Sequence, residues 1–148
     1  MIKIREISGS DRDVWATLWR GYLAYYETEL PEEVYVSSFA RLIDPQETNY
    51  KGFIAWNGDA ALGLVHYIYH LHGWKIEPVC YLQDLFTVPE ARGRGVGRAL
   101  IEAVYKAADV DGSPNVYWLT QDFNAAGRKL YDKVGQLTPF IKYQRPSS

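Results

Sequence analysis

The stretch Val88-Pro89-Glu90-Ala91-Arg92-Gly93-Arg94-Gly95-Val96-Gly97-Arg98-Ala99-Leu100 decides how this chain folds. It joins an apolar run with strand character, Cys80 to Val88, to an amphipathic helix through a loop of three glycines and three arginines. Glycine lets the main chain approach an anion closely and turn its N–H groups inward. The helix that follows adds unpaired N-terminal donors and the positive end of its dipole. The stretch therefore predicts a phosphate cradle between a strand and a helix. A P-loop fits poorly, because Arg98-Ala99 stands where Lys and then Ser or Thr are needed. A dinucleotide fingerprint fits poorly too, because Arg98 takes the place of a glycine.

Downstream of the loop, Val96, Leu100, Ala103, Val104 and Ala107 give the helix one apolar face, with Glu102 and Lys106 four apart on the outside. Asp111-Gly112 ends it. Asn115 to Thr120 reads as a strand, Asn124 to about Lys133 as a helix closed by Gly135, and Phe140 to Tyr143 as a last strand. Upstream, Lys3 to Ile7 is a first strand, and Ser10 can cap a helix running to about Tyr26. That helix carries two apolar stripes: Val14, Leu18 and Tyr25 on one, Trp15, Trp19, Tyr22 and Tyr26 on the other. One must serve the core; the aromatic one can line a pocket or add packing. Pro31 opens a second helix to about Ile43, with Val36, Phe39, Ala40 and Ile43 on one side, and Asp44-Pro45 stops it. Phe53 to Trp56 and Ala60 to His70 flank Asn57-Gly58, a strong hairpin signal. The order β-α-α-β-β-β-α-β-α-β is mixed α/β, with one right-handed crossover between the strand ending at Val88 and the one starting at Asn115.

With 148 residues the chain suffices for one domain, 1–148, with a real core. No apolar run approaches bilayer length, and the charged start Met1-Ile2-Lys3-Ile4-Arg5-Glu6 is unlike a signal peptide, so a cytoplasmic address and no membrane partner are expected. The single Cys80 reads as a small packed hydrophobe. The net charge of -2 hides an asymmetry. Nine Lys or Arg face five Asp or Glu between Arg92 and Arg145, while Glu27-Thr28-Glu29-Leu30-Pro31-Glu32-Glu33 packs four carboxylates into one loop. The basic half suits an anionic cofactor; the acidic loop suits a cationic substrate or simply faces water. Nothing resembles a nucleic-acid surface. His66, His70 and His72 share strand parity, but positions four apart on a strand are about 13 Å distant, so no metal is expected and they read as surface or pocket-rim histidines.

The motif Arg92-x-x-Gly95-x-Gly97 after an apolar strand resembles the pyrophosphate loop of the Gcn5-related N-acetyltransferases. A second resemblance is Asn124-Ala125-Ala126-Gly127-Arg128-Lys129-Leu130-Tyr131, whose Asn124 and Tyr131 share a helical face two turns apart. Asp84-Leu85-Phe86, Asn115-Val116-Tyr117-Trp118 and Leu130-Tyr131-Asp132-Lys133-Val134-Gly135 are similar to small yeast histone-and-other-protein acetyltransferases and their bacterial relatives, with a weaker likeness at Trp15, Trp19 and Tyr22.

The resemblance implies a mostly antiparallel sheet with a splayed central strand pair and about four flanking helices. It implies acetyl-CoA as co-substrate, with Leu85, Phe86 and Thr87 offering main-chain groups to the pantetheine and acetyl carbonyl. Arg92, Gly93, Arg94, Gly95, Val96, Gly97 and Arg98 would hold the pyrophosphate, Asn124 and Lys129 would contact the cofactor, and Tyr131 would act as general acid to the sulfur. An amine acceptor also needs a base, since a free alkylamine with a pKa of about 10 is protonated at neutral pH. Asp84 is the candidate, unless it only bonds its own loop. Trp19, Tyr22, Tyr26, Glu27, Glu29 and Gln83 are the candidate acceptor side, since carboxylates and aromatic faces attract ammonium groups. On a regular strand only one of Gln83 and Asp84 can face the acceptor. The expected acceptors are polyamines, amino acids or peptide lysines. The expected assembly is a homodimer, in which a C-terminal strand with Phe140, Ile141 and Tyr143 pairs across the axis unless those residues complete the core. A non-catalytic acyl-CoA binding module would need the loop but not Tyr131.

Overall fold

Largely apolar runs build a five-stranded sheet in the computed structural model, which describes residues 1–147. In chain order the elements are β1 (Lys3–Glu6), α1 (Arg12–Tyr25), α2 (Glu32–Ile43), β2 (Tyr50–Asn57), β3 (Ala60–His70), β4 (Val79–Thr87), α3 (Val96–Val110), β5 (Val116–Tyr117) and α4 (Ala125–Val134). Short 3-10 turns, Gly9–Asp11 and Pro89–Ala91, precede α1 and the glycine loop. The strand order is β1-β2-β3-β4-β5, antiparallel except for the parallel β4–β5 pair that α3 connects. This is the mixed, mostly antiparallel architecture that the sequence implied.

Apolar side chains go to both faces of the sheet. On one, Val96, Leu100, Ile101, Val104 and Ala108 of α3 pack on Val65, Tyr67, Cys80 and Leu82, with Leu130 and Tyr131 of α4 against them. On the other, Trp15, Leu18, Trp19 and Leu23 of α1 and Tyr35, Phe39 and Leu42 of α2 pack on Ile54 and Leu64. β3 is therefore buried on both sides, and His66 within it is fully buried. That corrects the surface or rim position expected from polarity alone: a histidine on a central strand is covered from either face.

Three further expectations are corrected. On α2 the inward stripe is Tyr35, Phe39 and Leu42, while Val36 and Ile43 stay exposed. Both stripes have helical spacing and share Phe39, and the one with the second aromatic ring covers more apolar surface. The strand expected over Asn115 to Thr120 keeps only Val116–Tyr117, because the chain leaves β4 after two pairs, Cys80↔Val116 and Tyr81↔Tyr117. No strand forms at Phe140 to Tyr143. Those side chains are exposed, and the segment has no ladder partner among the described residues, without which β propensity does not make a strand.

α1 is capped at its far end by an unusual residue. Glu27 takes a positive φ of 53°, while its N–H bonds the Ala24 carbonyl and the Thr28 N–H bonds the Leu23 carbonyl, both at 2.9 Å. This is the geometry in which glycine is normally found.

Candidate active site

The glycine loop has the conformation its residues predict. Gly93 and Gly95 sit at φ 80° and 82°, in the left-handed region, with open space where a Cβ would stand, so backbone shape rather than crowding calls for glycine. α3 starts directly after Gly95. Its first ladder bond runs from the Ala99 N–H to the Gly95 carbonyl at 3.0 Å, which leaves the N–H groups of Val96, Gly97 and Arg98 without intrahelical acceptors. The Val96 side chain is buried in the core, so Val96 can serve an anion only through its main chain. Arg92 and Arg94 are exposed beside these donors, whereas Arg98 donates through Nε to Glu102 at 2.7 Å. A Cβ on Gly97 would press on Leu130, which is how α3 and α4 come close enough to bring Tyr131 to the same end of the sheet.

β4 and the chain beyond β5 diverge from Leu82 onward and open a cleft. Its walls are Leu82, Gln83 and Leu85 on one side and Trp118, Leu119 and Thr120 on the other, with Ile101, Tyr131, Tyr22 and Tyr26 completing it. The register of β3 on β4 steps from His66↔Asp84 to Tyr67↔Leu82, so Gln83 is the extra residue of a bulge. Its effect on direction is large. Cys80 and Leu82 belong to the α3 face, but Asp84 meets Trp19 and Phe86 packs towards α1, so even-numbered residues change face across the bulge. Gln83 opens into the cleft and Asp84 lies behind it, almost fully buried.

Asp84 is held by a connected set of buried rings. The Trp15 indole N–H donates to His66 Nε2 at 3.0 Å; since an indole can only donate, His66 must carry its proton on Nδ1. Nδ1–H then donates to Asp84 Oδ2 at 2.8 Å, and the Trp19 indole N–H reaches the same oxygen at 3.3 Å. Trp19 is thus a buried support for Asp84 and not a residue of the cleft wall. The Tyr22 phenol lies beside the same carboxylate; burial first, then the Asp84 charge, push its pKa upward.

Tyr131 stands half-buried in the cleft, its ring edge-on to Trp118 at 5.6 Å. Burial, with smaller effects from Tyr26 and Tyr25, raises its pKa, so it stays a protonated donor across the ordinary pH range. Asn124 is the N-cap of α4: its Oδ1 accepts the Gly127 N–H at 3.1 Å and its amide donates to Thr120 Oγ1 at 3.0 Å. Lys129, Glu27 and Glu29 are exposed and do not line the cleft. Sequence reasoning missed Trp15 and His66 as supports, and Leu82, Ile101 and Trp118 to Thr120 as walls; a histidine inside the apolar run Leu62 to Tyr69 was the available signal. The three histidines separate: His70 pairs with the Tyr117 hydroxyl and His72 with the Trp74 N–H.

A glycine- and arginine-rich loop at a helix N-terminus, beside a splayed strand edge and a half-buried phenol, has the shape and donors to accept an acyl-CoA. The model of the acetyltransferase (GNAT) family matches residues 13–136. This chain is a GNAT protein. The D-amino-acid N-acetyltransferase HPA3 of Saccharomyces cerevisiae is 40% identical over 146 residues, 97% of this chain and 90% of that protein. The thialysine N-epsilon-acetyltransferase of Bos taurus is 30% identical over 78 residues, 53% of this chain and 45% of that protein. The solved aminoglycoside N-acetyltransferase AAC(6')-Iy in complex with CoA shares the fold with a TM-score of 0.84 at 20% identity, covering 100% of this chain and 96% of that one. The GNAT chain described here is accordingly an acetyl-CoA-dependent N-acetyltransferase. Among its described residues no helix is long and apolar enough to cross a membrane.

Proposed function

We propose that this GNAT enzyme acetylates the primary amine of a small acceptor, an amino acid, a polyamine or a lysine side chain, by direct attack, with Tyr131 as general acid. The observation that carries the reading is the shared cleft: Tyr131 faces Gln83, Tyr22 and Tyr26 across the gap where β4 and β5 separate. Acetyl-CoA would supply a thioester-activated acetyl group. Gly93, Gly95, Gly97 and the main-chain donors of Val96 to Arg98 would hold its pyrophosphate with Arg92 and Arg94. The free edge of Leu85, Phe86 and Thr87 would bind the pantetheine as another strand would. Asn124 would act chiefly by fixing the start of α4, and Lys129 by its charge. The acceptor would enter past Tyr22, Tyr26 and Gln83, drawn by the negative field of Asp84 and of the exposed Glu27 and Glu29 that follow α1.

Relatives named for D-amino acids, thialysine and aminoglycosides all point to small amines. A screen reading thiol release from acetyl-CoA across polyamines, amino acids of both hands and a lysine peptide tests the assignment. Release with at least one primary amine is expected, and none with any of them refutes it. We further assign the enzyme to the cytoplasm as one domain that pairs as a homodimer. The exposed Phe140, Ile141 and Tyr143 and the free edge of β5 support the dimer. A monomeric mass in solution refutes it.

A further inference from the structure

We propose that Tyr22 and Asp84 form the route by which the acceptor's ammonium group loses its proton, and that His66 and Trp15 are positioning residues that hold Asp84 for this task. The proposal rests on the amine acetylation assigned above. Asp84 is 5% exposed and cannot touch an amine in the cleft, whereas Tyr22, one turn along α1 from the Trp19 that bonds Asp84, lines the cleft together with Gln83 and Leu85, the two residues that flank Asp84.

The surroundings of Asp84 keep it an acceptor. A buried carboxylate is normally matched by a cation, because taking it from water costs several kcal/mol. Here, among the described residues, the one basic side chain in contact is His66, and the Trp15 N–H at its Nε2 fixes it as the neutral Nδ1–H form. The other titratable groups facing Asp84 are phenols: Tyr22 and Tyr26 of α1, Tyr50 of β2 and Tyr81 of β4. From α2, Tyr35 packs on Trp19, and the charge of Arg41 acts on Tyr50. An asparagine could accept the same two bonds through its amide oxygen, without the charge assistance. What the carboxylate adds is negative charge and room for a proton.

The step balances without an outside reagent. One N–H bond of the ammonium breaks and its electron pair stays on nitrogen, ready for attack. The proton bonds to the Tyr22 oxygen as the proton of Tyr22 passes to Asp84. Tyr22 is unchanged afterwards and Asp84 is a neutral acid, which returns its proton to solvent by the reverse route once product has left.

The test is the pH dependence of kcat/KM for a primary amine with a pKa of about 10, taken from about pH 6 to pH 10 at fixed acetyl-CoA. The unaltered enzyme should level off well below pH 10. In Asp84→Asn and Tyr22→Phe, only amine already neutral in solution can react. Their activity should fall about 100-fold or more near pH 7 and rise about tenfold per pH unit throughout, with acetyl-CoA affinity kept. Trp15→Phe removes the bond that fixes the His66 tautomer, so the Nδ1–H donor that holds Asp84 is no longer enforced; the plateau should be lost in part, with acetyl-CoA affinity kept. A parental profile shape in Tyr22→Phe overturns the conduit, and one in Trp15→Phe overturns the positioning. If Asp84→Asn fails to fold, Tyr22→Phe, which keeps the ring, decides. An unaltered enzyme inactive with every primary amine removes the underlying reading and the relay with it, whereas activity with unshifted profiles removes the relay alone.

Discussion

Replacing Tyr131 by Phe removes one oxygen from the cleft and little else. Its hydroxyl makes no hydrogen bond to another described residue, and the ring keeps its contact with Trp118, so no buried partner is orphaned. Stability should therefore change by no more than about 0.5 kcal/mol, which a melting curve will register as a shift of about 2 °C or less. Turnover is a different matter. A positioned general acid contributes about 10²–10⁴-fold, equivalent to about 3–5.5 kcal/mol of barrier, and that is the expected loss in kcat. Coenzyme A affinity, read by titration, should stay within about twofold, because the hydroxyl contributes only as the thiolate leaves. A donor thioester whose thiol is more acidic needs less help from an acid, so the deficit should shrink with it. Burial raises the phenol's pKa, so kcat should show no loss from Tyr131 ionisation until the pH exceeds the ordinary tyrosine value of about 10. A Tyr131→Phe enzyme with near-parental turnover, or a deficit equally large with both donors, refutes the role given to the phenol.

Charge-assisted contacts to a pyrophosphate contribute about 1.5–3 kcal/mol, so Arg92→Ala and Arg94→Ala should each weaken coenzyme A binding about tenfold or more by titration. Arg98→Ala should cost less, because that guanidinium already pairs with Glu102. Glu27→Gly should raise the melting temperature by about 2–4 °C, since a left-handed cap strains a residue with a Cβ by about 1 kcal/mol; an unchanged or lower melting point refutes the strain. Burial pushes the Cys80 thiol up to about 12, so at pH 8 it should resist alkylation in the native state and react on unfolding, as mass spectrometry will show.

Legibility in the sequence followed the range of the forces involved. Gly93, Gly95 and the α3 face were readable because glycine conformation and helical periodicity are local properties, and Tyr131 was placed because two turns of one helix fix its direction. The α2 face was misread because two stripes with identical spacing compete, and only tertiary packing decides between them. The strand expected at Phe140 to Tyr143 shows the same limit from the other side: pattern and propensity were present, and the partner was not. His66 and Trp15 lie 51 residues apart and are joined by one indole hydrogen bond that no local rule contains. Gln83 and Asp84 were legible as a pair but not in their division of labour, because a bulge becomes visible only when the opposing strand is in place.

That division rests on one inserted residue. Many residues could stand at position 83 with only the acceptor preference altered, since the side chain opens into the cleft. Losing the residue altogether would return the ladder to an unbroken two-residue rhythm, with Leu82 still opposite Tyr67 and Asp84 still opposite His66. Both hydrophobic layers would keep their present side chains, and only the strand's reach into the cleft would be lost. A single-codon deletion here should therefore leave a folded protein whose handling of the acceptor alone is altered.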